Sequence, residues 1–154
     1  MACKERLEQY FRENDVPFRS VTHEAVFTAP EAAAAQHVPG KQVAKVVLVQ
    51  TTDALVMCVV PANKHVNFGA LANILHVAEA RLAHEDEFSI LFSDCELGAM
   101  PPFGNLYGLA VCLDVALTDD PEIVFQAGTH TDSMKIRYPD YMRLVHPQIV
   151  DVAQ

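Results

Sequence analysis

Hydrophobic and polar positions follow several different periods along the chain, and each period predicts a different element. Near the N-terminus the apolar residues recur at helical spacing among charged ones, which predicts a helix from Lys4 to Glu13. The β-branched residues of 43–51 and the nearly continuous apolar run of 54–60 predict two strands, the second of them central and covered on both faces. Asn67 is a good helix cap, so a short helix is expected over 68–75.

The remaining segments are shorter, and together they decide the fold class. Four further strands are predicted, at 18–23, 109–113, 123–126 and 133–137. Helices are predicted at 31–36 and 85–92, a helix or turn at 138–145, and a strand or helix at 148–152. This mixed order predicts an α+β fold in one domain over 1–154, as opposed to a doubly wound parallel sheet.

Composition and charge narrow the class of protein. The chain has 154 residues, 51% of them hydrophobic, which suits one folded domain and excludes an intrinsically disordered chain. The formal net charge of -9 excludes a general nucleic-acid coat, because phosphate binding needs a basic face, but it leaves room for a small basic site. No apolar run is long enough for a membrane span, and the N-terminus carries too many charges for a signal peptide.

The cysteines indicate a reducing compartment. Four of them occur, at positions 3, 58, 95 and 112, and no two form a Cys-x-x-Cys pair. A zinc knuckle or a thioredoxin-type motif is therefore unsupported. Reduced thiols fit best and predict a cytoplasmic protein, for which we expect no metal and no other cofactor.

Lys45 is the first candidate functional residue, because it lies near the start of an otherwise apolar strand. Lysine is seldom fully buried without a partner, so its side chain either reaches an edge or points into a functional cleft. The pattern alone favours the structural alternative. In the functional alternative, the Lys45 cation would hold a phosphate, and Lys41 beside Gly40 would add to the positive electrostatic field at that place.

Two loop segments are the other candidates. The glycine and two prolines of Gly98 to Pro102 can present rigid backbone N–H groups to a carbonyl or oxyanion, although an ordinary loop is the commoner explanation. The turn-rich stretch that continues to Asn105 is predicted to be irregular. His130 is either a hydrogen-bonding or acid–base group or a solvated loop histidine. His23 follows a strand and is placed to line the mouth of a cleft.

Familiar nucleophile and cofactor motifs are missing from the sequence. It contains no Gly-x-Ser-x-Gly elbow, no P-loop and no Gly-x-Gly-x-x-Gly, and its histidines lack metal-ligand spacing. The groups that remain as candidates are a cation and a rigid backbone loop.

The ordered set of motifs resembles the YbaK/ProX family of aminoacyl-tRNA editing domains, which includes stand-alone relatives of the bacterial prolyl-tRNA synthetase insertion domain. The motifs that carry the resemblance are, in chain order, a Thr-x-x-Glu helix start at Thr28 after a histidine, Gly40, Lys45, Gly-x-x-x-Pro at Gly98 to Pro102, a strand ending in Asp114, and Ala-Gly-Thr-His at 127–130. The resemblance covers nearly the whole chain.

The resemblance implies a mixed, strongly curved β-sheet surrounded by short helices. It also implies trans-editing, in which the ester between a small wrong amino acid and the 3′ CCA end of a tRNA, most often tRNA(Pro), is hydrolysed. Such domains are thought to need neither a protein nucleophile nor a metal, because positioning and the terminal ribose hydroxyl direct the attacking water. Prolyl-tRNA synthetase is the implied protein partner, and apolar strand patches would support a homodimer.

By the same resemblance, Lys45 anchors the terminal adenosine and its phosphate, Gly98 lends backbone groups to the aminoacyl carbonyl, and His130 helps to shape the pocket. We expect these three residues to be the catalytic ones. The residues expected to bind substrate around them are His23, Phe27, Thr28, Lys41, Ala99, Met100, Pro101, Pro102, Gly128 and Thr129.

Two other functions stay open at this stage. A non-catalytic module would use the same fold to bind a small molecule or another protein, and a hydrolase of a different ester would use the same carbonyl-holding loop. Deacylation that disappears in Lys45→Ala would identify the editing enzyme, whereas an inactive wild type would indicate the module. Turnover of small esters at comparable rates would indicate the other hydrolase.

Overall fold

The computed structural model describes residues 2–23 and 43–154. The α-helices of these residues are α1 (Cys3–Glu13), α2 (Phe68–Leu75), α3 (Glu85–Phe88) and α4 (Tyr138–Val145). The strands of the same residues are β1 (Phe18–Thr22), β2 (Ala44–Thr51), β3 (Leu55–Pro61), β4 (Ala80–Leu82), β5 (Val111–Asp114), β6 (Glu122–Gln126), β7 (Asp132–Arg137) and β8 (Gln148–Val150). Short 3-10 turns occupy Gly104–Tyr107 and Val115–Asp119.

The strands form two hydrogen-bonded groups that meet at one point. A mixed five-stranded group has the order β4-β2-β3-β5-β8, with β3 pairing antiparallel to β2 and parallel to β5. An antiparallel group has the order β1-β7-β6. Within the described ranges, one parallel bridge, between Val43 and Val124, connects the two groups. The predicted α+β class with a mixed sheet is confirmed, and β3 is the central, buried strand that its apolar sequence predicted.

Local signals place several elements where the sequence predicts them. The Asn67 side chain accepts a hydrogen bond from the Ala70 N–H and so caps α2, whose bounds are those expected. In α1 the residues at helical spacing, Leu7 and Phe11, are buried, while Glu5, Arg12 and Glu13 are exposed. The uncertain segment 138–145 is the helix α4, which begins with a proline in its first turn.

Three elements differ from expectation. The helix predicted over 85–92 ends at Phe88, and the chain continues in turns because Phe92 instead packs on Tyr107, with 4.2 Å between the ring centroids. Strand β4 was not predicted, since three residues at a sheet edge are too few to show a period. The stretch predicted to be irregular, which ends at Asn105, overlaps the start of the 3-10 turn Gly104–Tyr107. The helix predicted over 31–36 lies outside the described residues.

The core has two layers, one on each face of the five-stranded group. The larger one lies between the two strand groups and α1, and its centre is a cluster of rings in which Phe103 contacts Phe11, Phe125 and Tyr141 at centroid distances of 5.4, 5.3 and 5.3 Å. The smaller one packs α2 against the other face. Phe103 directly follows the Gly98 to Pro102 segment, so the core anchors the end of that loop. Within 2–23 and 43–154, no helix has the length and apolar character needed to cross a membrane.

Candidate active site

Backbone hydrogen bonds join the Gly98 loop to the turn that follows β6. Gly128 donates its N–H to the Ala99 carbonyl at 2.9 Å, and its own carbonyl accepts from the Glu96 N–H at 2.7 Å. Within the loop, the Ala99 N–H donates to the Glu96 carbonyl at 3.1 Å. Both backbone groups of Gly128 are therefore used to hold the loop, and two predicted site segments are brought together.

His130 fastens the same two segments through its side chain. The residue is 7% exposed, and its ring Nε2 lies 2.9 Å from the Leu97 carbonyl oxygen, while its backbone N–H donates to the Glu96 carboxylate at 3.0 Å. A carbonyl oxygen only accepts hydrogen bonds, so Nε2 must carry a proton and donate it. This nitrogen is therefore committed to the loop, and the imidazole has a positioning role in the folded protein.

Gly98 presents its backbone at the surface of this loop. Its φ of 86° is in the region that favours glycine, and its N–H lies 3.3 Å from the Met100 sulfur. A thioether is a weak acceptor. A carbonyl oxygen of a bound substrate would therefore compete well for the same N–H.

A cavity of about 260 Å³ opens beside Gly98. Its walls come from the middle of β2, from β4 and α3, and from the loop itself, and they are mostly apolar. The lining residues are Val46, Val47, Leu48, Leu82, Ala83, Glu85, Phe88, Leu97, Gly98 and Met100. Of the predicted site residues, Gly98 and Met100 line this cavity. The sequence analysis missed the others, most of which are apolar residues outside any functional motif.

Lys45 lies on β2 next to Val46, which lines the cavity, but it is not itself a lining residue. Side chains alternate along a strand, which places Lys45 on the same face as Val43 and Val47. It is partly buried, and this burial lowers the pKa of its ammonium group. A desolvated cation of this kind is costly without an anion, and it is suited to hold a phosphate.

The parallel bridge between Val43 and Val124 aligns the two chains at that point. Lys45 on β2 and Gln126 at the end of β6 are each two residues further along. Val43 and Val124 belong to one apolar cluster, so their side chains share a face, and by alternation Lys45 and Gln126 face the same side. The sequence analysis did not single out Gln126, although a polar residue at the end of an apolar strand was a visible signal.

His23 directly follows β1, which pairs with β7, and it extends this polar surface. Its Nε2 is hydrogen-bonded to the Ser133 hydroxyl at 2.8 Å, and Ser133 pairs across the sheet with Gln126. Directly opposite residues in antiparallel strands present their side chains to the same face. The structure thus brings His23 to the same side as Gln126.

The other predicted substrate-binding residues have framework roles in the structure. Ala99, Pro101 and Pro102 are buried, and the Pro102 carbonyl accepts the Tyr141 hydroxyl at 2.7 Å. The Thr129 hydroxyl donates to Asp132 at 2.6 Å within its own turn. The remaining three, Phe27, Thr28 and Lys41, lie outside the described residues. Whether any residue of the set contacts substrate stays a prediction.

One cluster contains groups able to ligate a metal ion. The ligand atoms of Cys3, Asp94 and Cys95 all lie within 4.8 Å of one another. The Tyr107 hydroxyl lies among them, 3.0 Å from the Asp94 carboxylate and 3.2 Å from Cys95 Sγ, and Arg6 also pairs with Asp94. Protein donors thus occupy these groups already. The hydrogen bond with Cys95 lowers the pKa of Cys3, and the cluster has a structural explanation beneath the Gly98 loop.

Comparison with known proteins identifies the family. The profile of the aminoacyl-tRNA editing domain matches residues 23–144. The chain therefore belongs to the aminoacyl-tRNA editing domain family, and its predicted assignment as an aminoacyl-tRNA deacylase is confirmed at that level. It is 28% identical to the Multifunctional Ser/Thr-tRNA deacylase ProXp-y of Escherichia coli K12 over 152 residues, which cover 96% of this chain and 90% of that protein.

Solved structures show the same fold. The chain superposes on hypothetical protein APE2540 with a TM-score of 0.86 at 18% identity, covering 97% of this chain and 99% of the other. It superposes on a candidate trans-editing enzyme for prolyl tRNA synthetase with a TM-score of 0.84 at 19% identity, covering 100% and 98%. At these identities the likeness concerns the fold.

Proposed function

We propose that this protein, as a single editing domain over 1–154, hydrolyses the ester of an aminoacyl-tRNA that carries a small wrong amino acid, acting in trans. The observation that carries the proposal is the Gly98 loop, which Gly128 and His130 hold rigidly beside a small apolar cavity. A backbone donor fixed next to a cavity suits a carbonyl that must be oriented and polarised.

In the proposed reaction, the Gly98 N–H exchanges the Met100 sulfur for the aminoacyl carbonyl oxygen. Water then attacks the carbonyl carbon, the ester bond breaks, and the ribose oxygen leaves with a proton, which gives the free amino acid and the tRNA. Lys45 would hold a phosphate of the terminal nucleotides and so fix the ester at Gly98. Positioning and electrostatic stabilisation of this kind can supply a large rate factor for an activated ester.

His130 is a positioning residue in this proposal. Because its Nε2–H is donated to the Leu97 carbonyl, it acts through the loop and not on the ester. Gly128 has the same role through its backbone. Within the described residues, Gly98 and Lys45 are thus the groups we propose to contact the reacting end of the substrate.

The proposed substrate is a tRNA charged with a residue small enough for the cavity. tRNA(Pro) is the acceptor that the sequence resemblance implied, and serine and threonine become candidate amino acids because the relative from Escherichia coli is a Ser/Thr-tRNA deacylase. A pocket discriminates by size against larger side chains much better than against smaller ones. The cavity would therefore reject bulky amino acids.

The acidity of the chain limits how the tRNA binds. With a formal net charge of -9, the protein would contact few phosphates, and the CCA end offers few. A synthetase such as prolyl-tRNA synthetase would then supply further affinity. Neither that partner nor a homodimer is needed to build the cavity, since one chain supplies all its lining residues.

Two series of deacylation assays test the proposal. The first keeps tRNA(Pro) constant and changes the amino acid among alanine, cysteine, serine, threonine and proline. The second keeps the preferred amino acid constant and changes the tRNA. Rapid release of one small wrong amino acid, with prolyl-tRNA(Pro) spared, would support the proposal. No release from any of them by folded protein would contradict it and favour a binding module.

A further inference from the structure

Gln126 is a buried polar residue whose amide nitrogen lacks a protein partner within the described part of the chain. Its exposure is 6%, and no group of residues 2–23 and 43–154 accepts a hydrogen bond from its Nε2. Nearly all buried polar groups in proteins are paired, because an unpaired one keeps the cost of losing water. An apolar residue of similar shape would fit this strand end with less cost, so the amide calls for an explanation other than stability.

The surroundings of Gln126 show what kind of group it faces. Its neighbour across the sheet, Ser133, is already hydrogen-bonded to His23. Across the junction of the two strand groups, Lys45 is two residues beyond the Val43–Val124 bridge, as Gln126 is, and by alternation it faces the same side. The two strands are joined only at Val43 and Val124 within the described residues, so both side chains lie where the strands have begun to separate.

Gln126 also lies close in sequence to the residues that hold the Gly98 loop. Gly128, two residues further on, makes both backbone hydrogen bonds to that loop. Gln126 thus lies at the end of the strand that leads into the turn holding the Gly98 loop, on the face of the sheet that Lys45 shares. A substrate whose terminal phosphate is at Lys45 would bring the ribose bonded to that phosphate toward this face.

We propose that Gln126 binds the substrate directly, with its Nε2–H donating to an oxygen of the terminal ribose. This inference rests on the proposed deacylase function and adds a substrate-binding residue to it. The amide is left unpaired by the protein because its partner arrives with the substrate. Stability is given up for binding, as happens where functional polar groups are kept in a core.

The test compares Gln126→Met with the wild type by two measurements. The first is binding of an aminoacyl-adenosine analogue in which an amide replaces the ester, so that it cannot be hydrolysed. The second is the thermal midpoint, Tm. We expect binding to weaken by about tenfold or more, because a substrate oxygen loses its donor, while Tm rises because an unpaired buried group is removed.

Gln50→Met is the matched control. The Gln50 amide on β2 already donates to the Thr51 carbonyl at 3.0 Å, so the same substitution should leave analogue binding unchanged and should not raise Tm. Unchanged binding in Gln126→Met would overturn the proposal. A fall in Tm of Gln126→Met would also overturn it, since that result would show a structural role for the amide.

The deacylation assay of the wild type separates this inference from the proposed function. A wild type that binds the analogue but hydrolyses no aminoacyl-tRNA would refute the deacylase function, and the binding comparison of Gln126→Met would still decide the role of Gln126. A wild type that does neither would overturn both.

Discussion

Gly128 packs directly against Cys3 of the N-terminal helix, and no side chain fits between them. A methyl group on the Gly128 α-carbon would lie 2.4 Å from Cys3 Cβ and 2.6 Å from its sulfur. The φ of Gly128 is +91°, a conformation that other residues rarely adopt. This contact locks the turn after β6 against α1, and through its two backbone hydrogen bonds it locks the Gly98 loop as well.

Replacement of Gly128 by alanine should therefore cost more than backbone strain alone. We expect Gly128→Ala to lower the free energy of unfolding by about 3 kcal/mol or more, from strain together with overpacking against Cys3. Gly108→Ala is the control, because Gly108 has a φ of +72° but nothing within 4 Å of the added methyl. Its cost should be only about 1–2 kcal/mol. Equal losses in urea unfolding would show that the Cys3 contact is unimportant.

The assignment of His130 as a positioning residue predicts a difference between two substitutions. Gln at this position can still place an amide N–H near the Leu97 carbonyl, whereas Ala cannot. We expect His130→Ala to lose about tenfold to a hundredfold in kcat/KM as the loop shifts, and His130→Gln to retain most of the activity with an unchanged pH–rate profile. If both variants lose activity equally, the imidazole acts as an acid or base.

Asp132 should give the protein part of its acid sensitivity. Burial alone would raise the pKa of its carboxyl, but hydrogen bonds from Thr129 and Lys4 outweigh burial and lower it. Since the folded pKa lies below the unfolded one, the contribution is present above the unfolded value and is lost as the pH falls through the folded value. Wild type should therefore have a higher Tm than Asp132→Asn at pH 7, and the difference should shrink below about pH 4. A difference independent of pH would contradict this assignment.

For Lys45 we expect the opposite result from that for Asp132: removal of the charge should stabilise the protein at neutral pH. Burial lowers the pKa of its ammonium group, so between the folded and unfolded values the unfolded chain binds more protons and stability rises with pH. Removal of the charge in Lys45→Met should therefore raise Tm above that of the wild type at neutral pH. This difference in Tm should shrink as the pH approaches about 10. Thermal unfolding of Lys45→Met at several pH values measures this, and a variant less stable than wild type at pH 7 would indicate an unseen ion pair.

The parts of the fold that local signals determine were predictable from sequence. The bounds of α2 follow from the Asn67 cap, and β3 follows from an uninterrupted apolar run between turn residues. Strand β4 was not predictable, because three residues pair with β2 only through tertiary contact. Likewise, the early end of α3 depends on the packing of Phe92 against Tyr107. These two residues are too far apart in sequence for a local pattern to show the contact.

For the candidate site, the sequence predicted which segments matter but not how each residue acts. Gly98 and His130 were singled out, yet the donation from His130 to Leu97 depends on a loop-to-loop contact that no spacing shows. Gln126 had a local signal as a polar residue that ends an apolar strand, but its position relative to Lys45 depends on the bridge between Val43 and Val124.

The most direct test of the central claim is the rate at which Lys45→Met and wild type release a small wrong amino acid from tRNA(Pro). Lys135→Met is the control, because this lysine lies on β7 and pairs with Glu122. The account predicts hydrolysis by wild type and Lys135→Met, a loss of about a hundredfold or more in Lys45→Met, and no release of proline. Wild-type rates in Lys45→Met, or no hydrolysis by folded wild type, would contradict it.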